Sequence, residues 1–244
     1  MRIALISDIH GHHIALDAVL ADLAHEDVDK IICLGDVATI GPQPKQVIRR
    51  LIELGCPCIT GNHDAALLDP EKAVQYDISA PLLPSLWWCS EQLESVDREF
   101  LAATLPIFEI NLTAEKSLLC FHGSPKAYQD IIHSYTPVGQ VTRFLRGTNA
   151  DIYVGGHTHL QMLRNHDGCI IFNPGSVGAP FRSIPERGTE PSLFTHTEYG
   201  IIDSDDQRIQ FEFRQISFDR AAYIKVLKGS DLPVREWWLK QYGA

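Results

Sequence analysis

Short apolar runs alternate along the first part of the chain with segments whose apolar positions recur every three to four residues. The first kind predicts strands at Arg2 to Ser7, Lys30 to Leu34 and Cys56 to Thr60, and the second predicts helices at His13 to Ala24 and Pro44 to Leu54. A β-α-β-α-β rhythm of this kind is that of a parallel sheet, whose functional crevice lies at the carboxyl ends of the strands. Asp8, Asp36 and Asn62 fall at those ends.

The pattern then changes. Ala65 to Thr104 reads as mainly helical, broken near the middle by Pro81 and Pro84, and is expected to form a helical insert or cap. Trp87 and Trp88 in it serve either packing or substrate stacking. Phe108 to Leu112 and Leu118 to His122 predict a strand pair, followed by a helix at Val138 to Arg146 and a strand at Ile152 to Val154. From Gln161 onward, the runs Gln161 to Arg164, Cys169 to Asn173, Tyr199 to Ile202 and Arg208 to Ile216 suggest a second, largely antiparallel sheet packed on the first. Asp219 to Lys228 and Val234 to Gln241 read as closing helices.

A chain of 244 residues with 45% hydrophobic composition can bury one large core, and a single domain spanning 1–244 is expected. The formal charge of −10 argues against binding long nucleic acid, which relies on clustered Lys and Arg. It does not exclude small anions, because local charges set the field in a cleft. The apolar run after Met1 is too short for an export signal, and no stretch approaches the roughly 18 apolar residues of a spanning helix, so a cytoplasmic protein away from membranes is expected. The six cysteines lie mostly in apolar runs and are read as reduced, buried side chains; the Cys56-Pro57-Cys58 spacing is not that of a redox or zinc pair.

Candidate chemistry sits directly after the apolar runs, at Asp8-Ile9-His10, Gly35-Asp36, Gly61-Asn62-His63-Asp64, His122-Gly123 and Gly156-His157-Thr158-His159. Carboxylate, imidazole and amide side chains suit divalent manganese, iron, zinc or nickel, and two such ions side by side can clamp a phosphoryl group. On extended chain Asp8 and His10 would point the same way while Ile9 enters the core. The imidazoles of His157 and His159 would do likewise unless a turn splits them between two neighbouring ions, the arrangement favoured here. Asp36, with two carboxylate oxygens, can bridge ions about 3.5 to 4 Å apart.

The order and spacing of these blocks resemble the calcineurin-like metallophosphoesterase family, whose motifs read Asp-x-His, Gly-Asp, Gly-Asn-His-Asp or Glu, His, and Gly-His-x-His. The run Asn173 to Gly178 is similar to a further signature of its small bacterial and archaeal phosphodiesterase branch. The resemblance implies an α/β fold, a four-layer αββα sandwich of two packed mixed β-sheets flanked by helices. It implies one ion held by Asp8, His10, Asp36 and His159 and another by Asp36, Asn62, His122 and His157, with manganese first among the metals and iron, zinc, nickel and cobalt compatible. A hydroxide shared by the ions would attack phosphorus, His63 would face the leaving oxygen, and Asp64 would orient His63. Substrate contacts are expected from Asn62 and His63, from Ser176 with the backbone amides of its turn, and from Arg182 as a grip on a second phosphate, a surface arginine being the plain alternative. Other histidines, His12 among them, match no motif position, and His12 stands where the family commonly has Asn.

The implied activity is metal-dependent hydrolysis of small phosphodiester, phosphomonoester or nucleotide polyphosphate substrates. The alternative is a non-catalytic, metal-binding interaction scaffold of the same fold. The expected partner is a small phosphorylated substrate rather than long nucleic acid, with a homo-oligomer left open.

Overall fold

Strand β1 (Arg2–Ile6) pairs in parallel with β2 (Lys30–Cys33) across α1 (His13–Leu23) in the computed structural model, which describes residues 1–186, 189–205 and 208–244. His12 caps α1, its Nδ1 accepting the Ala15 N–H at 3.1 Å, and its ring stacks on Tyr223 with centroids 3.4 Å apart. After α2 (Pro44–Leu54) the chain turns at Gly55, whose φ of 63° is the left-handed geometry that closes a helix without a Cβ penalty. The strand expected at Cys56 to Thr60 is reduced to single parallel bridges, Cys33 to Cys58 and Ile59 to Leu105. Pro57 has no N–H to give to a ladder, which keeps the pairing short.

The segment that follows is helical: α3 (Asn62–Leu68), short 3-10 turns at Pro70–Tyr76 and Ala80–Leu82, α4 (Leu83–Gln92) and α5 (Ser95–Ala102). Pro81 and Pro84 occupy first-turn positions of the second 3-10 turn and of α4, so they begin these elements instead of breaking one. Trp88 packs partly buried against the core, whereas Trp87 is exposed.

Two mixed sheets face each other. The first has the order β2, β1, β8 (Thr197–Ser204), β9 (Ile209–Ile216); the second runs β3 (Phe108–Asn111), β4 (Ser117–Cys120), β5 (Ile152–Val154), β7 (Cys169–Pro174), β6 (Gln161–His166). The strands after Gln161 therefore do not form a sheet of their own. β6 and β7 extend the second sheet, while β8 returns to lie antiparallel to β1, with Ile3 opposite Ile202.

Alternation along each strand builds the layers. On β1, Ile3 and Leu5 meet Leu118, Cys120, Ile152, Val154 and Phe172 between the sheets, while Ala4 and Ile6 join the core beneath α1 and α2. On the far side, Leu119, Tyr153 and Ile171 pack against Val141 and Leu145 of α6 (Val138–Leu145). Helix, sheet, sheet, helix is the resulting order, as expected. α7 (Arg220–Lys228) and α8 (Arg235–Gln241) pack against the first helical layer. No helix among the described residues is long and apolar enough to cross a membrane.

One long-range contact bears on the site. Trp238 of α8 is fully buried and its Nε1 donates to the Ile40 carbonyl at 2.6 Å. Ile40 has φ 55°, a costly conformation for a β-branched residue that must be held by its surroundings. Trp238→Phe removes the donor and leaves a buried carbonyl unpaired, and a loss of about 1–3 kcal/mol in urea unfolding is expected.

Candidate metal centre

The parallel strands β1, β2, β4 and β5 all end on one side, and the polar clusters follow them there. The local backbone at Asp8-Ile9-His10 is not the extended chain expected from the sequence, whereas the turn favoured for His157-Thr158-His159 is present. Asp8, His10, Asp36, His157 and His159 have φ of 52°, 48°, 55°, 66° and 59°. Left-handed backbone on a non-glycine residue costs on the order of 1–3 kcal/mol, and such residues gather at functional sites. The turns are fixed by cross-links between loops: the Asp8 N–H donates to Gly35 O at 3.0 Å, and that of His10 to Asp36 O at 2.9 Å.

Gly61 and Gly156 admit the close approaches that result. A Cβ on Gly61 would lie 2.0 Å from Asp36 Oδ1, and one on Gly156 would lie 2.0 Å from Ser7 Oγ and 2.9 Å from Asp8 Oδ2. These glycines make room for the carboxylates themselves.

Each carboxylate has one oxygen spent and one free. Asp8 Oδ2 accepts from Ser7 Oγ at 2.6 Å and from the His157 N–H at 3.0 Å, leaving Oδ1 buried without a hydrogen-bond partner. Asp36 Oδ1 accepts the His63 N–H at 2.9 Å, and its Oδ2 lies 3.3 Å from His122 Nε2 and 3.9 Å from His10 Nε2. The imidazoles are aimed in the same way. Nδ1 of His122 and of His159 each lie 2.7 Å from a carbonyl, Leu34 O and Ala179 O, so these nitrogens donate and each Nε2 turns inward toward the carboxylates.

Two groups of donors result. Ligand atoms of Asp8, His10 and His159 lie within 4.8 Å of one another, and so do those of Asp36, His122 and His157. Asn62 stands beside the second: its Nδ2 donates to Tyr76 O at 3.0 Å, which leaves Oδ1 facing His122 Nε2 at 3.2 Å. His157 and His159 thus belong to different groups. Nε2 of His10 and of His159 converge at 3.0 Å beside the orphaned Asp8 Oδ1, a donor set that suits a borderline divalent cation.

Electrostatics keep anionic oxygens here. Burial raises the Asp8 carboxyl, but His159 outweighs it and holds the group down at about 2; burial also raises Asp36, which His122 and His63 hold well below the usual range. Burial, then His159, pushes His10 well down, and burial, then His122, pushes His157 to about 3. Burial lowers His122 too, but Asp36 wins and lifts it to about 9.

Three expected roles are not those observed. The Asp64 carboxylate is not hydrogen-bonded to the His63 Nδ1, which is buried with no partner; it accepts the N–H groups of Asp36 (2.7 Å), Val37 (2.9 Å) and Gly61 (2.9 Å). Asp64 therefore pins the two ligand loops together. Ser176 donates to Asp8 O and accepts the Ala179 N–H, both at 2.8 Å, and the amides of Val177 and Gly178 donate to Ser7 O and Asp8 O. The turn thus spends its amides on bracing β1, not on an anion. Arg182 Nε donates to Leu193 O at 2.7 Å with the guanidinium over Phe194, and it lines a neighbouring groove instead of the cleft.

Ile40, Phe181, Val234 and Trp237 share the cleft with the donors but carry no motif to mark them in the sequence.

Residues 1–197 match the model of the calcineurin-like phosphoesterase superfamily domain. The chain belongs to this superfamily. An uncharacterized protein of Methanocaldococcus jannaschii is 28% identical over 96% of this chain and 94% of its own length. The phosphodiesterase YfcE of Escherichia coli is 28% identical over 84% of this chain and 89% of its own. The crystal structure of a metallophosphoesterase from Sphaerobacter thermophilus superposes with a TM-score of 0.76 at 24% identity, covering 100% of this chain and 99% of that one, and so shares the fold. Within this superfamily chain, the two donor groups provide a site for divalent metal.

Proposed function

We propose that this phosphoesterase holds two divalent ions, manganese foremost, and hydrolyses small phosphate esters, diesters in particular, as one domain with residues 65–104 as its cap. The observation that carries this reading is Asp36 Oδ2, which lies 3.3 Å from an imidazole of one donor group and 3.9 Å from an imidazole of the other, the place of a shared ligand. When bound, the ions would supply Lewis acidity and lower the pKa of coordinated water. Asp8, His10 and His159 would hold one ion, and Asn62, His122 and His157 the other, with Asp36 between them. His63 lines the same cleft, and its Nδ1 is buried without a partner. Its ring would hydrogen-bond the leaving oxygen as the P–O bond breaks. The relative named a phosphodiesterase supports diesters as the first class to try.

Chelation followed by metal return tests the reading. Protein treated with EDTA is expected to lose turnover of bis(p-nitrophenyl) phosphate, and manganese to restore it, with about two ions per chain by elemental analysis. If bis(p-nitrophenyl) phosphate, p-nitrophenyl phosphate and dinucleoside polyphosphates all stay intact with manganese, cobalt, nickel, iron and zinc, the catalytic reading fails and the scaffold reading takes its place.

A further inference from the structure

The cavity above the donor groups has a volume of about 540 Å³ and two unlike sides. One is the polar floor of His10, Asp36, His63, His157 and His159. The other is an apolar wall that includes Ile40, Leu82, Phe181 and Trp237. Given the phosphoesterase reading above, on which this rests, we propose that the wall is the subsite for the organic group of an ester with a single phosphorus, a planar, uncharged aromatic or heteroaromatic group, and that Trp237 determines the preference.

Trp237 is placed by its neighbour. Trp238 is fully buried and bonded to the Ile40 carbonyl, which fixes the rotation of α8, and the two indoles meet edge to face at 4.9 Å and 73°. Consecutive residues on a helix cannot share a face, so anchoring Trp238 turns the half-buried Trp237 toward the cavity that it lines. Phe181 carries the aromatic surface up to the donors. Its ring stacks on His159 at 4.4 Å and its N–H bonds His159 O at 3.1 Å, so this surface begins at the polar floor. An aromatic group bonded directly to phosphorus or its ester oxygen would reach the wall while the phosphoryl oxygens stay over the floor.

Charge argues for one phosphorus. Among the described residues, the lining holds neither Lys nor Arg, and the exposed Glu190 carboxylate lies 3.9 Å from Lys240 Nζ. Arg182 and Lys240 line a separate groove that shares only Glu190 and Pro191 with the cavity. A second phosphoryl group laid against the apolar wall would find no partner for its charge there. Val234 and Trp237 lie beyond residue 197, where the match to the superfamily model ends.

Inhibition and fluorescence of the manganese-loaded protein test the subsite. Phenylphosphonate and methylphosphonate share a head group and differ only in the ring. The first is expected to inhibit about tenfold more strongly in the native protein and to quench tryptophan emission. Trp237→Ala should bring the two inhibition constants together without changing that of methylphosphonate or the metal content. Trp237→Phe should restore most of the preference while abolishing the quench, and tripolyphosphate should inhibit no better than inorganic phosphate. Equal inhibition by the two phosphonates in the native protein, a preference that survives Trp237→Ala, or tight inhibition by tripolyphosphate would overturn the proposal. Fluorescence quenching does not depend on turnover, so a protein that hydrolyses no ester would sink the phosphoesterase reading, while quenching by phenylphosphonate but not by methylphosphonate would still report on the wall.

Discussion

His63→Ala is expected to keep its divalent metal and to lose about 10²- to 10⁴-fold in kcat on phosphate diesters, the range that a positioned proton donor contributes. The expectation follows from how the residue is attached. Its backbone N–H holds Asp36 Oδ1 at 2.9 Å and survives the substitution, whereas its ring meets His10 only edge to face, with centroids 5.2 Å apart, and its Nδ1 has no partner. Removing the ring thus subtracts a donor from the cleft and leaves the ligands where they were. The deficit should be largest for alkyl leaving groups and smaller for p-nitrophenolate, which departs without help. Kinetics on the two ester types alongside elemental analysis check this, and loss of metal or an unchanged kcat would remove His63 from the reaction.

Asp36→Ala is expected to do the opposite to the metal. One Asp36 oxygen orders the turn that presents Asn62 and His63, and the other sits between His10 and His122, so a single truncation weakens both donor groups. Displacing even an outer partner of a ligand typically costs 10- to 100-fold in metal affinity, and loss of a shared ligand should cost more. The variant should retain fewer than about half its ions after gel filtration and show at least about a thousandfold lower turnover. Circular dichroism separates this from misfolding, because the carboxylate is buried and its loss leaves a small void. Two ions per chain with native turnover would mean that the donor groups are independent.

Much of this centre is legible in the sequence because its chemistry needs particular side chains at strand ends. Asp8, His10, Asp36, Asn62, His122, His157 and His159 could be picked out for that reason, and the structure brings all of them into one crevice. The parallel β1 to β2 unit is equally plain, since α1 and α2 show helical periodicity at the lengths that a crossover requires.

Pairing partners are harder to read. An alternating pattern says which face of a strand is apolar, not which strand lies beside it, so β8 and β9 read as neighbours of β6 and β7 although they return to β1. The extended geometry assumed for Asp8-Ile9-His10 fails because a polar-apolar-polar triplet looks the same in a left-handed turn. Asp64 and Ser176 sit within motifs that suggest action on His63 and on substrate, yet the Asp64 carboxylate accepts backbone N–H groups of the ligand loops and the Ser176 hydroxyl donates to the Asp8 carbonyl. Trp237 was hidden for the converse reason. It belongs to no motif, and nothing before the fold itself connects α8 with Ile40, 198 residues away from Trp238 in the chain.

The left-handed backbone at Asp8, His10, Asp36, His157 and His159 sets activity against durability. Glycine would relax each of these turns, so a copy released from selection for turnover could gain resistance to heat by surrendering the very side chains that grip metal. An inert descendant of this chain would thus tend to outlast its working ancestor in the test tube, and glycines accumulating at these positions would be the trace of a lost activity.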